Sequence, residues 1–166
     1  MDKPILNIVV CVRGDGDGLK DTMGSIEMQR NVDFGGLMVT VVYMEACGEA
    51  KYLTVGRTEK FLMQTIHTAA GTLGDAYNKV IRRDETQWIM FMECGDMLSD
   101  VYSLKIIMEL LPTEEYDALW TEYYTESETK GHDRWVNVNS DVDIRIHGKL
   151  FRNRFLIESG AMFDNR

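Results

Sequence analysis

The sequence predicts an α/β fold, a single domain with a mostly parallel sheet flanked by helices. Three observations carry this. Apolar, β-branched runs occur at Ile5–Arg13, Leu37–Met44 and Trp88–Met92. Segments with helical periodicity lie between and after them, and that alternation is the pattern of a parallel sheet. The chain has 166 residues, the length of one domain of roughly 100–200 residues.

The elements follow in order. Ile5–Arg13 (ILNIVVCVR) reads as a buried strand broken only by Asn7. Gly14-Asp15-Gly16-Asp17-Gly18 must be a loop, because three glycines in five residues hold neither strand nor helix well. Leu19, Met23, Ile26 and Met28 suit an amphipathic helix ending near Asn31, and Leu37–Met44 is a second buried strand. The stretch 49–60 is polar and without clear pattern. Phe61–Ile81 has helical spacing, interrupted at Gly71-Thr72-Leu73-Gly74. Trp88–Met92 is a third strand running into Glu93-Cys94-Gly95-Asp96. Tyr102–Leu111 reads as a helix stopped by Pro112, and Ala118–Tyr124 as a strand. Glu126–Asp133 reads as a polar loop, Trp135–Val138 and Asp143–Ile146 as short strands, and Phe151–Ile157 as a helix.

Composition narrows the function classes. Hydrophobic residues make up 45% and charged residues 27%, which excludes wholesale disorder. No apolar run reaches the roughly 18 residues of a membrane span, and the first residues lack a secretory pattern. A cytoplasmic protein is the expectation. The net charge of −9 falls entirely in the second half: residues 1–83 carry ten Lys/Arg and ten Asp/Glu, residues 84–166 eight and seventeen. Without a basic stripe, nucleic-acid binding is not expected. A phosphate ligand would call for a cation between it and the acids. Cys11, Cys47 and Cys94 are widely spaced, which argues against a disulfide framework or structural zinc.

In parallel sheets ligands sit beyond the carboxyl ends of the strands. Residues 13–18, 44–48 and 93–96 are the loops at those ends. The glycine loop is not a dinucleotide fingerprint, because the third glycine would fall on Leu19, and Asp15 and Asp17 would repel a phosphate. It is an exposed loop or touches part of a ligand. Glu93 and Asp96, three residues apart after a buried strand, could share Mg²⁺ or Mn²⁺, hard cations that prefer oxygen ligands. Equally, Asp96 or Ser99 could cap the next element. His147–Arg154 forms a basic island in which Lys149, Arg152 and Arg154 could meet a diphosphate or an acidic partner, or simply be solvated. His67 and His132 have no visible partner in the sequence. The acids between Glu93 and Asp133 could face a basic partner or water.

Four segments in order resemble the family-two glycosyltransferases of the GT-A fold. They are the opening strand with Leu19, Met23, Ser25-Ile26 and Gln29; Ala76-Tyr77-Asn78; WIMFMECGDML; and HGKLFRNRFLIESGAMFD. The resemblance covers about residues 5 to 164. It implies a GT-A-like, Rossmann-like single domain that binds a nucleotide-diphosphate sugar, commonly UDP-linked. It also implies Mg²⁺ or Mn²⁺ bridging the diphosphate to DxD-like acids, with the ion assisting departure of the leaving group. By position, Val12, Arg13 and Glu45 would hold the nucleoside with Asn78 near it, and Lys149 would join the donor site. Glu93 and Asp96 would sit at metal and sugar, with Asp96 the candidate catalytic residue.

The departures from the family pattern are specific. The second aspartate of DxD falls on Gly95, and the family's Arg before Asn78 is Tyr77. The paired aspartates after the second strand are absent. The acidic segment that carries the base in inverting members lies beyond Arg166. That leaves a truncated piece, a minimal variant or a protein whose site a partner completes. Asp117, Glu122 and Glu126 are further candidates for the acceptor side. Two readings follow: a glycosyltransferase acting on an unidentified glycan or protein acceptor, or a GT-A-like scaffold without catalysis. A flavodoxin-like or response-regulator-like domain fits the alternation as well, but lacks an acidic cluster at the first strand.

Overall fold

The computed structural model describes residues 3–14, 16–44, 59–69, 71–111, 116–121, 123–129, 132–138, 146 and 148–164. Its centre is β1 (Leu6–Val12), every residue of which is buried. β2 (Leu37–Met44) pairs with it in parallel on one side and β4 (Trp88–Glu93) on the other. A strand covered on both faces must be apolar along its whole length, which is why these three runs were readable. β3 (Leu62–Thr68) adds in parallel outside β2. Beyond β4 lie β8 (Lys149–Arg152), antiparallel to it, and β5 (Ala118–Trp120). The sheet order is β3-β2-β1-β4-β8-β5. A separate hairpin joins β6 (Tyr123–Thr129) to β7 (His132–Val138).

Alternation along β1 assigns the two faces. Leu6, Ile8, Val10 and Val12 pack with α1 (Leu19–Glu27) and α3 (Ser103–Leu110). Val9 and Cys11 pack with α2 (Leu73–Ile81) and α4 (Asn153–Glu158). Among the described residues no helix is long and apolar enough to cross a membrane.

Four sequence expectations are corrected. The helix expected from Phe61 is instead strand β3 followed by α2. β3 is a sheet-edge strand with mostly exposed or half-buried side chains, so LMQTIHT lacks the apolar run that marks a central strand. The interruption at Gly71–Gly74 is the start of α2, where the Thr72 hydroxyl accepts from the Asp75 amide at 3.2 Å. Within Phe151–Ile157 the helix begins only at Asn153, because Phe151 and Arg152 complete β8. The loop expected at Glu126–Asp133 is mostly strand, formed by cross-strand pairing that a polar sequence does not announce. The strand expected at Asp143–Ile146 falls largely outside the described residues.

Asn7, the one polar break in β1, organises the amino end of the sheet. It donates to Asp84 Oδ2 at 2.7 Å and accepts from the Thr40 hydroxyl at 2.9 Å. Gln64 donates to Thr40, the Thr86 amide to Asp84 Oδ1, and Asn153 to the Asp84 carbonyl. Asn7, Thr40 and Asp84 are all buried. Replacing Asn7 by Leu would leave a buried carboxylate oxygen without its donor. The expected cost is about 2–3 kcal/mol, read as a lower urea midpoint at unchanged slope.

Candidate functional site

Parallel register builds the carboxyl edge. Cys11 on β1 stands opposite Glu93 on β4, and the Cys94 amide donates to the Cys11 carbonyl at 3.0 Å. Arg13 therefore leaves β1 beside the end of β4. Its Nη2 donates to Glu93 Oε2 in an ion pair. Asp96 turns back on its own loop: Oδ2 accepts from the Glu93 amide at 2.7 Å, and the Asp96 amide donates to the Glu93 carbonyl at 2.9 Å.

This loop and the start of α3 are held by Thr22 and Ser25 of α1 and by Gln29 just beyond its end. Thr22 Oγ1 accepts from the Gly95 amide at 2.9 Å, and Ser25 Oγ from the Leu98 amide at 3.2 Å. Gln29 accepts from the Leu104 amide and donates to the Asp100 carbonyl, both at 2.8 Å. The first turn of α1 also meets the loop backbone to backbone. A Cβ on Gly18 would lie 2.6 Å from the Gly95 Cα, so no side chain fits there. Gly95 itself has φ +103°, which strains any residue but glycine. The glycine loop and the ECGD loop are thus one packed unit.

Beneath this unit lies a neutral floor. Burial pushes the Cys11 thiol up to about 12, with the Glu93 carboxylate adding to the shift. Burial also pushes the Tyr77 phenol far up, with Cys11, Glu93 and Asp96 adding. The Tyr77 ring packs against Phe91 and Phe163 at centroid distances of 4.5 and 5.4 Å. Its hydroxyl is buried without an oxygen or nitrogen partner and neighbours the Cys11 thiol. Both groups stay protonated at neutral pH.

The structure brings Arg13, Glu93 and Asp96 together and separates the rest. Val12 is buried in the core, so only its backbone faces the edge. Asn78 lies on α2 with both ends of its amide bonded to the Phe163 backbone, at 3.0 and 2.9 Å. It borders a groove of about 650 Å³ together with Asp75, Lys79, Arg82, Met162 and Phe163, a groove not lined by Arg13, Glu93 or Asp96. Lys149 is buried where β8 begins, paired with Trp120 at the carboxyl edge. Glu45 lies outside the described residues. The basic island divides: Arg152 sits at the amino edge, its guanidinium 4.8 Å from the Trp88 ring and bonded to the Tyr116 carbonyl, while Arg154 pairs with Glu158. Neither Arg152 nor Arg154 shares the edge of Glu93. His67, without an expected partner, stacks on Tyr43 at 5.3 Å across β2 and β3. Sequence reading named Arg13 and Glu93 separately and missed their ion pair, since no local spacing signals a contact across eighty residues.

Glu93 and Asp96 are the carboxylates that Mg²⁺ or Mn²⁺ would use. Each is already engaged inside the protein, and Gly95 supplies no ligand. Among the described residues no group of three or more His, Cys, Asp or Glu side chains gathers to hold an ion. With only these two carboxylates, a cation at this edge would depend on oxygens supplied by its ligand.

Two tests follow from this geometry. Gln29→Leu removes both the acceptor for Leu104 and the donor for Asp100, and stability should fall by about 2 kcal/mol. Because the Cys11 thiol is raised in the folded state, its contribution is whole below the ordinary value of 9.0 and is lost as pH climbs toward about 12. Thermal melts across that window should fall less steeply for Cys11→Ala than for the native chain.

No family model and no curated protein matches the sequence. Solved structures do. S. aureus TarS (residues 1–349) superposes with a TM-score of 0.75 at 14% identity, over 97% of this chain and 50% of that one. A TarS complex with UDP-GlcNAc gives a TM-score of 0.73 at 14% identity, over 95% and 48%. A mannosyltransferase from Pyrobaculum calidifontis, in complex with GDP-Man and Mn²⁺, gives 0.70 at 13% identity, over 97% and 48%. The chain spans about half the length of these proteins. It has the GT-A-type fold of nucleotide-sugar glycosyltransferases.

Proposed function

We propose that the carboxyl edge of this sheet binds a nucleotide-diphosphate sugar, UDP-linked in the first instance, and passes the sugar to a hydroxyl acceptor. The observation that carries the reading is the joined unit of glycine loop, Arg13, Glu93 and Asp96, standing where the fold places ligands. The bound UDP-GlcNAc and GDP-Man of the structural neighbours support the ligand class. In this reading the backbone at Val12 and Arg13, with Glu45, faces the nucleoside. Asn78 borders that side through the tail it holds. Glu93 and Lys149 line the diphosphate side.

In this reading Asp96 takes the proton of the attacking hydroxyl. One of its oxygens is anchored by the Glu93 amide, which fixes the carboxylate and leaves the other as the acceptor. A second reading, a scaffold that binds without transferring, is favoured by that same anchoring, which ties Asp96 into its own turn.

Thermal shifts with UDP, GDP, CDP and dTDP, with and without Mn²⁺, test the donor site. One nucleotide at a hundred times its Kd should raise stability by about 2.7 kcal/mol. No shift with any of them would overturn the reading. If transfer occurs from a matching donor sugar, Asp96→Asn should reduce it by about 10²-fold or more while nucleotide affinity changes little. Binding without transfer across donors and acceptors would favour the scaffold.

A further inference from the structure

We infer that Arg13, rather than a divalent cation, is the positive charge that receives the diphosphate at this edge. The inference rests on the donor-site reading above and concerns how that site manages charge. A diphosphate brought to the ends of β1 and β4 meets Glu93 and Asp96, and between like charges some cation must stand. A divalent ion would find few oxygen ligands among the described residues: Gly95 has no side chain, one Asp96 oxygen accepts from the Glu93 amide, and one Glu93 oxygen is paired with Arg13. Arg13 already supplies a positive charge beside Glu93.

Its geometry suits the task. The Arg13 side chain is 54% exposed while the Glu93 side chain is 25% exposed, so the guanidinium reaches outward from a more sheltered anchor. A guanidinium carries five N–H donors in a planar fork, and Glu93 takes one. The remaining donors match the paired oxygens of a phosphate. Glu93 is then a positioning residue. It holds the fork in one orientation, which cuts the rotamer entropy lost when phosphate binds. The floor of protonated Cys11 and Tyr77 adds no negative charge below it. The glycine-loop sequence holds Asp15 and Asp17 and no basic residue, and Lys149, the cation that β8 brings to the same edge, is buried where Arg13 is exposed.

Calorimetric titration of the full chain with UDP and GDP, in EDTA and in Mn²⁺, decides the matter. The expected result is that the nucleotide that binds does so with affinities within about threefold in the two buffers. Arg13→Gln should weaken it by about tenfold or more, Arg13→Lys should restore part of the loss, and Glu93→Gln should weaken it less than Arg13→Gln. Circular dichroism and melting of each variant establish that it is folded; the exposed position of Arg13 makes that the expected result. Binding seen only with Mn²⁺, or affinity unchanged in Arg13→Gln, would overturn the inference while leaving the donor site standing. Absence of binding in both buffers would overturn the donor-site reading and this inference together.

Discussion

The clamp from α1 to the segment after β4 is the constraint on which the candidate site depends. α1 is short, and its apolar residues Leu19, Met23 and Ile26 are spent on the sheet. Thr22, Ser25 and Gln29 then face the loop, and each satisfies a backbone amide there. Backbone amides of this half-buried segment that are lost to water need partners. The helix supplies those partners at helical spacing, so the loop is held by the same element that covers the core. With Gly18 against Gly95 there is no room for the two loops to part without breaking the clamp.

The two ends of the sheet treat polar groups differently. At the amino edge, Asn7, Thr40, Asp84 and Asn153 form a buried polar network in which the Asp84 carboxylate has both oxygens bonded. Arg152 and Trp88 belong to the same end. At the carboxyl edge charge is left half in solvent, in the Arg13–Glu93 pair, above groups whose burial keeps them neutral. Charges above a low-dielectric floor interact more strongly than charges in water.

How much was legible in the sequence follows from burial. β1, β2 and β4 announced themselves because both faces are covered, and so did the loops that end them. β3 was hidden by its place at the sheet edge, where half-exposed Gln64, Thr65 and His67 imitate a helix surface. Of β6 and β7 the sequence showed Tyr123-Tyr124 and Trp135–Val138, while the polar residues between were hidden because hairpin pairing needs only matched backbones. In the site, Glu93 and Asp96 stood out as acids after a buried strand. What Asp96 does with its oxygen, and which cation meets Glu93, depend on how the ends of β1 and β4 lie side by side.

By itself the sequence determined the central strands and the helices between them, and it marked the carboxyl-edge loops as the candidates for chemistry. These follow from hydrophobic period and from glycine positions, which are local properties. Only the tertiary structure decided that Arg13 pairs with Glu93, that Gln29 caps the segment leading to α3, and that the basic island is split between opposite edges of the sheet. Each of these joins or separates residues through strand register, a non-local quantity set by packing the whole sheet at once.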